Sequence, residues 1–258
     1  MPVIHPTAIV HPKAQLADSV KVGPYAIIEE NVTIDEGTVI ESSNVIASGA
    51  RIGKNCTIGH LTVVATLPQD LKFSGEETHC FIGDNTTLRE CITINRGTSA
   101  TRVTRIGANC FIMAFCHVAH DCTLGDNIIL ANAVQMGGHV SIGDFAIIGG
   151  VTVIHQFGNI GMHSMTGSRF RAMKDVPPYA LAGKDPLTFE GLNSIGLRRR
   201  GFSRETIETL DRLYTILYRS GNNVSQAVEK IKAELPMIPE VVNVLDFIAK
   251  SKRGIIRG

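Results

Sequence analysis

The chain has 258 residues, a formal net charge of +1, no tryptophan and only 5% aromatic residues. The near-zero charge gives no sign of nucleic-acid binding, and no apolar run is long enough to predict a membrane span. The N-terminus lacks the basic segment and apolar core of a signal peptide, and the six cysteines form no CxxC pair, so we expect a reduced, cytoplasmic protein. Isoleucine, valine and 25 glycines dominate instead, which predicts a core assembled from many small, similar pieces.

Aliphatic residues recur at every sixth position along the first 160 residues. The register runs from Ile4 to Val64, returns at residues 82, 88 and 94, and continues from Ile106 to Ile160. A period of six predicts short strands joined by sharp corners, with three hexads in each triangular coil of a parallel β-helix. Residues 65–79 and 97–104 interrupt the pattern without shifting it, so we expect both segments to be loops that project from the coils.

Two further positions of the hexad are selective. Five cysteines stand two residues before the aliphatic position, where small side chains recur, and we expect them to be buried core thiols: Cys56, Cys80, Cys110, Cys116 and Cys122. Glycine often follows the aliphatic residue, and we expect it to supply backbone freedom at the corner.

The hexad pattern ends near residue 175. Beyond it, helical spacing predicts a helix that starts at the N-cap Ser203 and ends at Gly221, a second helix that stops at Pro236, and a third that starts near Pro239. We therefore expect a β-helix over 1–185 and a small helical domain over 186–258.

Histidines outside the core register mark a candidate site. His120 and His139 are nearly one coil apart, and His155 follows about a coil later, so we expect a column of imidazoles along one edge. Three interpretations compete: solvated surface residues, a zinc site, or a general base, which suits a pKa near 6.5. Zinc-binding hexapeptide proteins of the γ-carbonic anhydrase type space their close ligand pair as His-x4-His, whereas here the pair is His117 and His120.

Several motifs together resemble one family. HVAHDC, GGHVSIGDFAIIGG and HQF, with QDLKFSGE, INRGT, DVPPY and LRRRGFSRE, are similar to the bacterial acyl-ACP–UDP-N-acetylglucosamine O-acyltransferases. The resemblance implies a left-handed β-helix and a homotrimer with active sites between neighbouring protomers. It implies transfer of a 3-hydroxyacyl chain from acyl carrier protein to the 3-hydroxyl of UDP-N-acetylglucosamine, the first step of lipid A biosynthesis. Phosphopantetheine on the carrier protein delivers the acyl group, and no metal or other cofactor is implied.

The same resemblance assigns roles to residues. His120 is the expected general base, Asp121 supports its imidazole, and the N–H of Gly138 stabilises the oxyanion. The expected substrate-binding residues are Asp70, Lys72, Asn95, His117, His139, His155, Gln156, Ser168, Asn193, Arg199 and Arg200. A basic cluster, Arg169, Arg171 and Lys174, is a candidate contact for the acidic carrier protein.

Two positions depart from the family pattern. Asn95 stands where the family usually has histidine, and Ile195 stands where it usually has an acid. An alternative acceptor is therefore a UDP-sugar with a 3-amino group. Small residues at Gly167 and Ser168 predict room for a longer acyl chain. Two other functions remain: an acetyl-CoA-dependent acetyltransferase, which generally lacks the QDLK loop and the RRRGFS segment, and a non-catalytic trimeric scaffold or metal-binding protein.

Overall fold

The computed structural model describes residues 1–258, as 28 strands followed by four helices. The strands before the first insertion are β1 Val3–Ile4, β2 Ile9–Val10, β3 Gln15–Leu16, β4 Lys21–Val22, β5 Ile27–Ile28, β6 Thr33–Ile34, β7 Val39–Ile40, β8 Val45–Ile46, β9 Ala50–Ile52, β10 Thr57–Ile58 and β11 Val63–Thr66. Those that follow it are β12 His79–Ile82, β13 Thr87–Leu88, β14 Thr93–Asn95, β15 Val103–Ile106, β16 Phe111–Ile112, β17 His117–Val118, β18 Thr123–Leu124, β19 Ile129–Leu130, β20 Gln135–Met136, β21 Ser141–Ile142, β22 Ile147–Ile148, β23 Val153–Ile154, β24 Asn159–Ile160, β25 Met165–Thr166, β26 Arg171–Ala172, β27 Ala180–Gly183 and β28 Thr188–Leu192.

From β1 to β26, the strands stack as a parallel β-helix with three faces. Each strand pairs in parallel with the strand three places further along the chain, so that Val22, Ile40 and Ile58 lie in one column. The first face starts with β1 and β4, the second with β2 and β5, and the third with β3 and β6. The predicted β-helix of hexapeptide repeats is confirmed.

The interior is a continuous aliphatic column. The hexad residues from Val22 to Ile160 are buried, and each buried aliphatic side chain contributes about 1.5–3 kcal/mol. All six cysteines are free, and the five predicted in the core are buried. Burial raises the pKa of the Cys80 thiol to about 12, so these thiols act as small apolar side chains, as predicted.

The prediction for the glycines after the aliphatic positions was wrong. Their backbones are not left-handed; the left-handed residue stands three places after the aliphatic one and is usually not glycine, as at Asn127 with φ of 57°. Glycine is needed because the next coil passes too close. A Cβ on Gly83 would lie 2.5 Å from the carbonyl carbon of Gly107, and one on Gly149 would lie 2.5 Å from that of Gly167.

The left-handed residues define three corners. The first corner, between the first and second faces, carries Phe115, Ala133, Val151 and Arg169. The second corner, between the second and third faces, carries Asp121, His139 and Phe157. The third corner carries Asn127, Phe145, His163 and Tyr179. Both insertions leave the coils at the second corner, between β11 and β12 and between β14 and β15.

The chain ends in a helical segment. β27 extends the first face in parallel, and β28 returns antiparallel to it as a hairpin that the sequence did not predict. The helices are α1 Ser194–Arg199, α2 Arg204–Arg219, α3 Val224–Glu234 and α4 Pro239–Lys250. Ser203 caps α2 as predicted, accepting a hydrogen bond from the Thr206 N–H. None of the helices has the length and apolar composition needed to cross a bilayer. The boundary at 185/186 between two domains stays a prediction.

Candidate active site

A cleft of about 600 Å³ opens at the second corner. The first insertion forms one wall of this cleft and three successive coils form the other. The cleft gathers six of the residues expected to act on substrate: Asp70, Lys72, His117, His120, Gly138 and Gln156. The remaining lining residues include Gln69, Leu71 and Met136, so the cleft combines polar groups with apolar surface, as small-molecule sites usually do.

His120 and Asp121 form a buried acid–base pair in the cleft. His120 Nδ1 lies 2.7 Å from Asp121 Oδ2, and the side chains are 7% and 0% exposed. Burial alone would raise the pKa of Asp121, but hydrogen bonds from Thr101, His120 and Thr98 outweigh it and lower the pKa to about 2. An ionised carboxylate at this distance holds the imidazole proton on Nδ1.

The other nitrogen of His120 is available to a substrate. Nε2 has no hydrogen-bond partner within the chain, since the only hydrogen bond of the ring is made by Nδ1. The ring lies directly over the next coil, and a Cβ on Gly138 would stand 2.5 Å from His120 Cε1. A side chain at position 138 would collide with the imidazole, so glycine is required there. The backbone N–H of Gly138 donates to no backbone carbonyl.

His139 adjoins the pair, but the expected column of three histidines is wrong at its third position. His139 Nε2 is 3.7 Å from Asp121 Oδ2, and its ring meets that of His120 edge-on at 5.2 Å. The ring stacked on the other side of His139 is Phe157, at 4.6 Å. One coil adds 18 residues here, with Gln135 opposite Val153, so residue 157 rather than His155 follows His139.

The cluster His120, Asp121 and His139 also offers three ligand atoms within 4.8 Å of one another. Its carboxylate already accepts hydrogen bonds on both oxygens. A cation bound here would have to displace those donors.

His117 is a neutral neighbour of His120. Its Nδ1 lies 2.8 Å from the Thr93 hydroxyl, and burial lowers its pKa. Across the cleft, Asp70 Oδ1 accepts a hydrogen bond from the backbone N–H of Lys72 at 2.9 Å, which shapes the tip of the first insertion.

Asn95 and His155 do not line the cleft. Asn95 is buried, and its amide donates to Thr66 Oγ1 and to the Leu67 carbonyl at 3.1 and 2.9 Å. It therefore anchors the start of the first insertion. His155 is exposed on the second face, with Nδ1 2.9 Å from the Gln156 carbonyl. Ser168 lies beside the first corner.

The remaining predicted residues lie at the third corner of the same chain. Asn193 is buried, donates to the His163 carbonyl at 2.9 Å and caps α1. Arg200 lies over the Phe145 ring at 5.2 Å, and burial lowers its pKa. Arg199 is exposed in the last turn of α1. One protomer alone does not bring these residues to His120.

Two threonines that hold Asp121 were missed. Thr98 donates through its N–H and hydroxyl, and Thr101 does the same. The signal in the sequence was the second insertion itself, which breaks the hexad in the segment ahead of HVAHDC and contains three threonines.

The fold and the site together define a hexapeptide-repeat acyltransferase. Three family models match the chain: the bacterial transferase hexapeptide over residues 104–134, domain 2 of UDP-N-acetylglucosamine O-acyltransferase over 175–256, and the C-terminal domain of GMPPB over 3–102. The acyl-[acyl-carrier-protein]–UDP-N-acetylglucosamine O-acyltransferase of Thiobacillus denitrificans is 52% identical over the whole of both chains. The chain belongs to the acyl-[acyl-carrier-protein]–UDP-N-acetylglucosamine O-acyltransferase family.

Solved structures agree. A UDP-N-acetylglucosamine acyltransferase from Bacteroides fragilis is 44% identical, with a TM-score of 0.96 over 98% of this chain and 99% of that one. The enzyme from Francisella novicida is 38% identical, with a TM-score of 0.97 over 99% of this chain and 94% of that one.

Proposed function

We propose that this protein transfers a 3-hydroxyacyl group from acyl carrier protein to the 3-hydroxyl of UDP-N-acetylglucosamine, the first step of lipid A biosynthesis, in the cytoplasm. The observation that carries the proposal is the His120–Asp121 pair, 2.7 Å apart, opening on a cleft that Gly138 and the first insertion also line. The names of the relatives support the choice of substrates, and the residues of the cleft support acid–base catalysis.

In this mechanism His120 Nε2 accepts the proton of the sugar hydroxyl while that oxygen attacks the thioester carbonyl. The tetrahedral intermediate carries a negative oxygen, which the free N–H of Gly138 stabilises. The intermediate collapses as the carbon–sulfur bond breaks, and the imidazolium returns its proton to the departing phosphopantetheine sulfur. Asp121, ionised because its pKa is about 2, stabilises the imidazolium between the two steps.

The sugar and diphosphate would occupy the cleft among the polar groups of Asp70, Lys72, His117 and Gln156. Asn193, Arg199 and Arg200 would complete the site from a neighbouring protomer, since they lie at another corner of their own chain. A homotrimer also accounts for the first corner, where the exposed side chains Leu61, Phe115 and Val151 form an apolar column.

The carrier protein would dock on the basic side of the molecule. Arg171, Lys174 and Arg257 line a groove near the end of the β-helix, and Arg169 is exposed close by. Guanidinium and ammonium groups attract an acidic partner.

The test is a transfer assay with 3-hydroxyacyl carrier protein and UDP-N-acetylglucosamine, with wild type and His120→Ala side by side. We expect kcat to fall roughly 10²–10⁴-fold in the variant, with His60→Ala, an exposed histidine on another coil, as the matched control. Full activity of His120→Ala would remove the base assignment. Parallel assays with the 3-amino sugar and with acetyl-CoA separate the two alternative acyltransferase activities.

A further inference from the structure

One task of the second insertion, residues 97–104, is to hold the Asp121 carboxylate. It leaves the coil between β14 and β15 and places four hydrogen-bond donors around the buried Asp121 carboxylate. Oδ1 accepts from the backbone N–H groups of Thr98 at 3.0 Å and Thr101 at 3.3 Å and from the Thr101 hydroxyl. Oδ2 accepts from the Thr98 hydroxyl at 2.7 Å and from His120 Nδ1 at 2.7 Å.

The two hydroxyls differ in how firmly they are oriented. A threonine hydroxyl has one proton to donate. The Thr98 oxygen accepts from the Ala100 N–H at 3.2 Å, and Asp121 is the only acceptor it contacts. Thr101 is exposed, and its hydroxyl contacts the Val103 carbonyl at 2.9 Å as well as Asp121. Thr98, which is buried, is therefore the oriented donor.

Thr98 and His120 bind the same oxygen. With the Thr98 hydroxyl on one lone pair of Oδ2 and both N–H groups on Oδ1, the carboxylate cannot rotate without losing several bonds. The remaining lone pair of Oδ2 faces His120 Nδ1, which must then carry the proton. The proton-free nitrogen is Nε2, on the side of the cleft.

We propose that Thr98 is a positioning residue: its hydroxyl fixes the Asp121 carboxylate so that His120 keeps its proton on Nδ1 and presents a free Nε2 to the acceptor. The proposal rests on the proposed function, because it deepens the role of the same pair. The other titratable groups around the pair are His117 and His139 on the coils, Asp70, Lys72 and Glu76 on the first insertion, and Cys122 next to Asp121 in the chain.

The experiment compares Thr98→Val, which keeps the shape and removes the donor, with Thr98→Ser, which keeps the donor. Thr86→Val is the matched control. Thr86 is also buried, donates to the Gly107 carbonyl at 2.9 Å and accepts from the Cys110 N–H at 3.2 Å, but has no hydrogen bond to Asp121. If Thr98→Val does not fold, Thr98→Ala removes the same donor with less steric demand.

In Thr98→Val we expect kcat to fall roughly 10- to 100-fold, as for the loss of a buried hydrogen bond to a charged group, with KM for the UDP-sugar unchanged. The acidic limb of kcat/KM should move to lower pH, because a carboxylate that is free to turn away from Nδ1 stabilises the protonated imidazole less. Thr98→Ser should restore both. Thr86→Val should lower the melting temperature and leave the pH profile in place.

A second readout does not depend on turnover. In protein labelled with ¹⁵N-histidine, His120 should give the Nδ1–H tautomer in the wild type and in Thr98→Ser, and a mixture of tautomers in Thr98→Val. An unchanged tautomer and pH profile in Thr98→Val, or a Thr98→Ser variant as impaired as Thr98→Val, would overturn the proposal. A wild type with the expected tautomer but no transfer would count against the proposed function alone.

Discussion

Two corners of the β-helix each carry a buried histidine, and the two imidazoles have different surroundings. His120 at the second corner and His163 at the third are 6% and 7% exposed, so burial does not distinguish them. His120 has Asp121 at 2.7 Å and opens on a cleft. His163 stacks between Phe145 at 4.7 Å and Tyr179 at 5.7 Å, and its Nδ1 has no partner.

The difference lies in what covers each corner. At the third corner, aromatic rings and Arg200 surround the imidazole, and burial followed by the charge of Arg200 lowers the pKa of His163 to about 4. At the second corner, the second insertion supplies hydrogen-bond donors to the Asp121 carboxylate, and the first insertion forms a polar wall of the cleft. The backbone repeat is the same at both corners, so the insertions, added to His120 and Asp121 on the coil, distinguish the second corner.

Among the changes that compare the two corners, the largest effect should come from filling the space beneath His120. In Gly138→Ala the new Cβ would meet the imidazole, 2.5 Å from Cε1, and displace it from the acceptor. A shift of about 1 Å at a reacting group costs roughly 10²-fold in rate, and we expect that loss in kcat. The measurement is the transfer assay, with the melting temperature recorded to show that the variant is folded.

Gly150→Ala is the matched control at the first corner. Gly150 also stands one residue before the left-handed position, but the nearest atom to its Cβ would be the Asn132 carbonyl oxygen at 3.1 Å. We expect kcat close to that of the wild type. A Gly138→Ala enzyme as fast as Gly150→Ala would show that the imidazole has room to move without loss.

The repeat made most of the β-helix predictable. An aliphatic residue such as Ile58 at every sixth position specifies both the strand and the face that is buried, so the three-faced coils, the insertions and the core cysteines could be inferred by counting. Glycine was misinterpreted, because the steric demand on Gly83 comes from Gly107 on the next coil, and a single hexad contains no information about its neighbour.

The site was only partly predictable for the same reason. Because one coil has about 18 residues, the sequence placed His120 near His139. The same count was wrong for His155, because Phe157 has the position in the next coil that matches His139. The donors from Thr98 depend on how an irregular loop folds back, and no periodicity describes such a loop. Asn95 shows the opposite limit, since the structure reveals an anchor for the first insertion that the sequence did not indicate, while its resemblance-based role at the substrate stays a prediction.

A smaller effect should appear in the pH dependence of stability, through the buried His163. The pKa of His163 is lower in the folded chain, at about 4, than its ordinary value of 6.5, so the unfolded chain binds more protons between these values. The contribution of His163 to the free energy of unfolding is therefore fully present above pH 6.5 and is lost as the pH falls towards 4, by up to about 3 kcal/mol.

His163→Phe should flatten that decline, because a ring without a titrating nitrogen keeps the stack; Phe145 already occupies the left-handed position one coil earlier. The measurement is the free energy of unfolding by urea at several pH values, with His60→Phe as the exposed control. Equal slopes for His163→Phe and wild type between pH 4 and 6.5 would contradict a buried neutral His163.

The smallest effect is expected at a left-handed residue that lies outside the candidate active site. Asn127 at the third corner has φ of 57°, and its side chain makes no hydrogen bond. Asparagine tolerates this conformation and glycine has no Cβ to oppose it, whereas alanine is strained there by about 1 kcal/mol. We expect Asn127→Ala to lower the free energy of unfolding by that amount, Asn127→Gly to stay near the wild type, and both to keep the wild-type kcat. Because Asp121 occupies the equivalent backbone position at the second corner, a loss of kcat in Asn127→Ala would mean that strain at one corner reaches the other, and that the two corners are not independent.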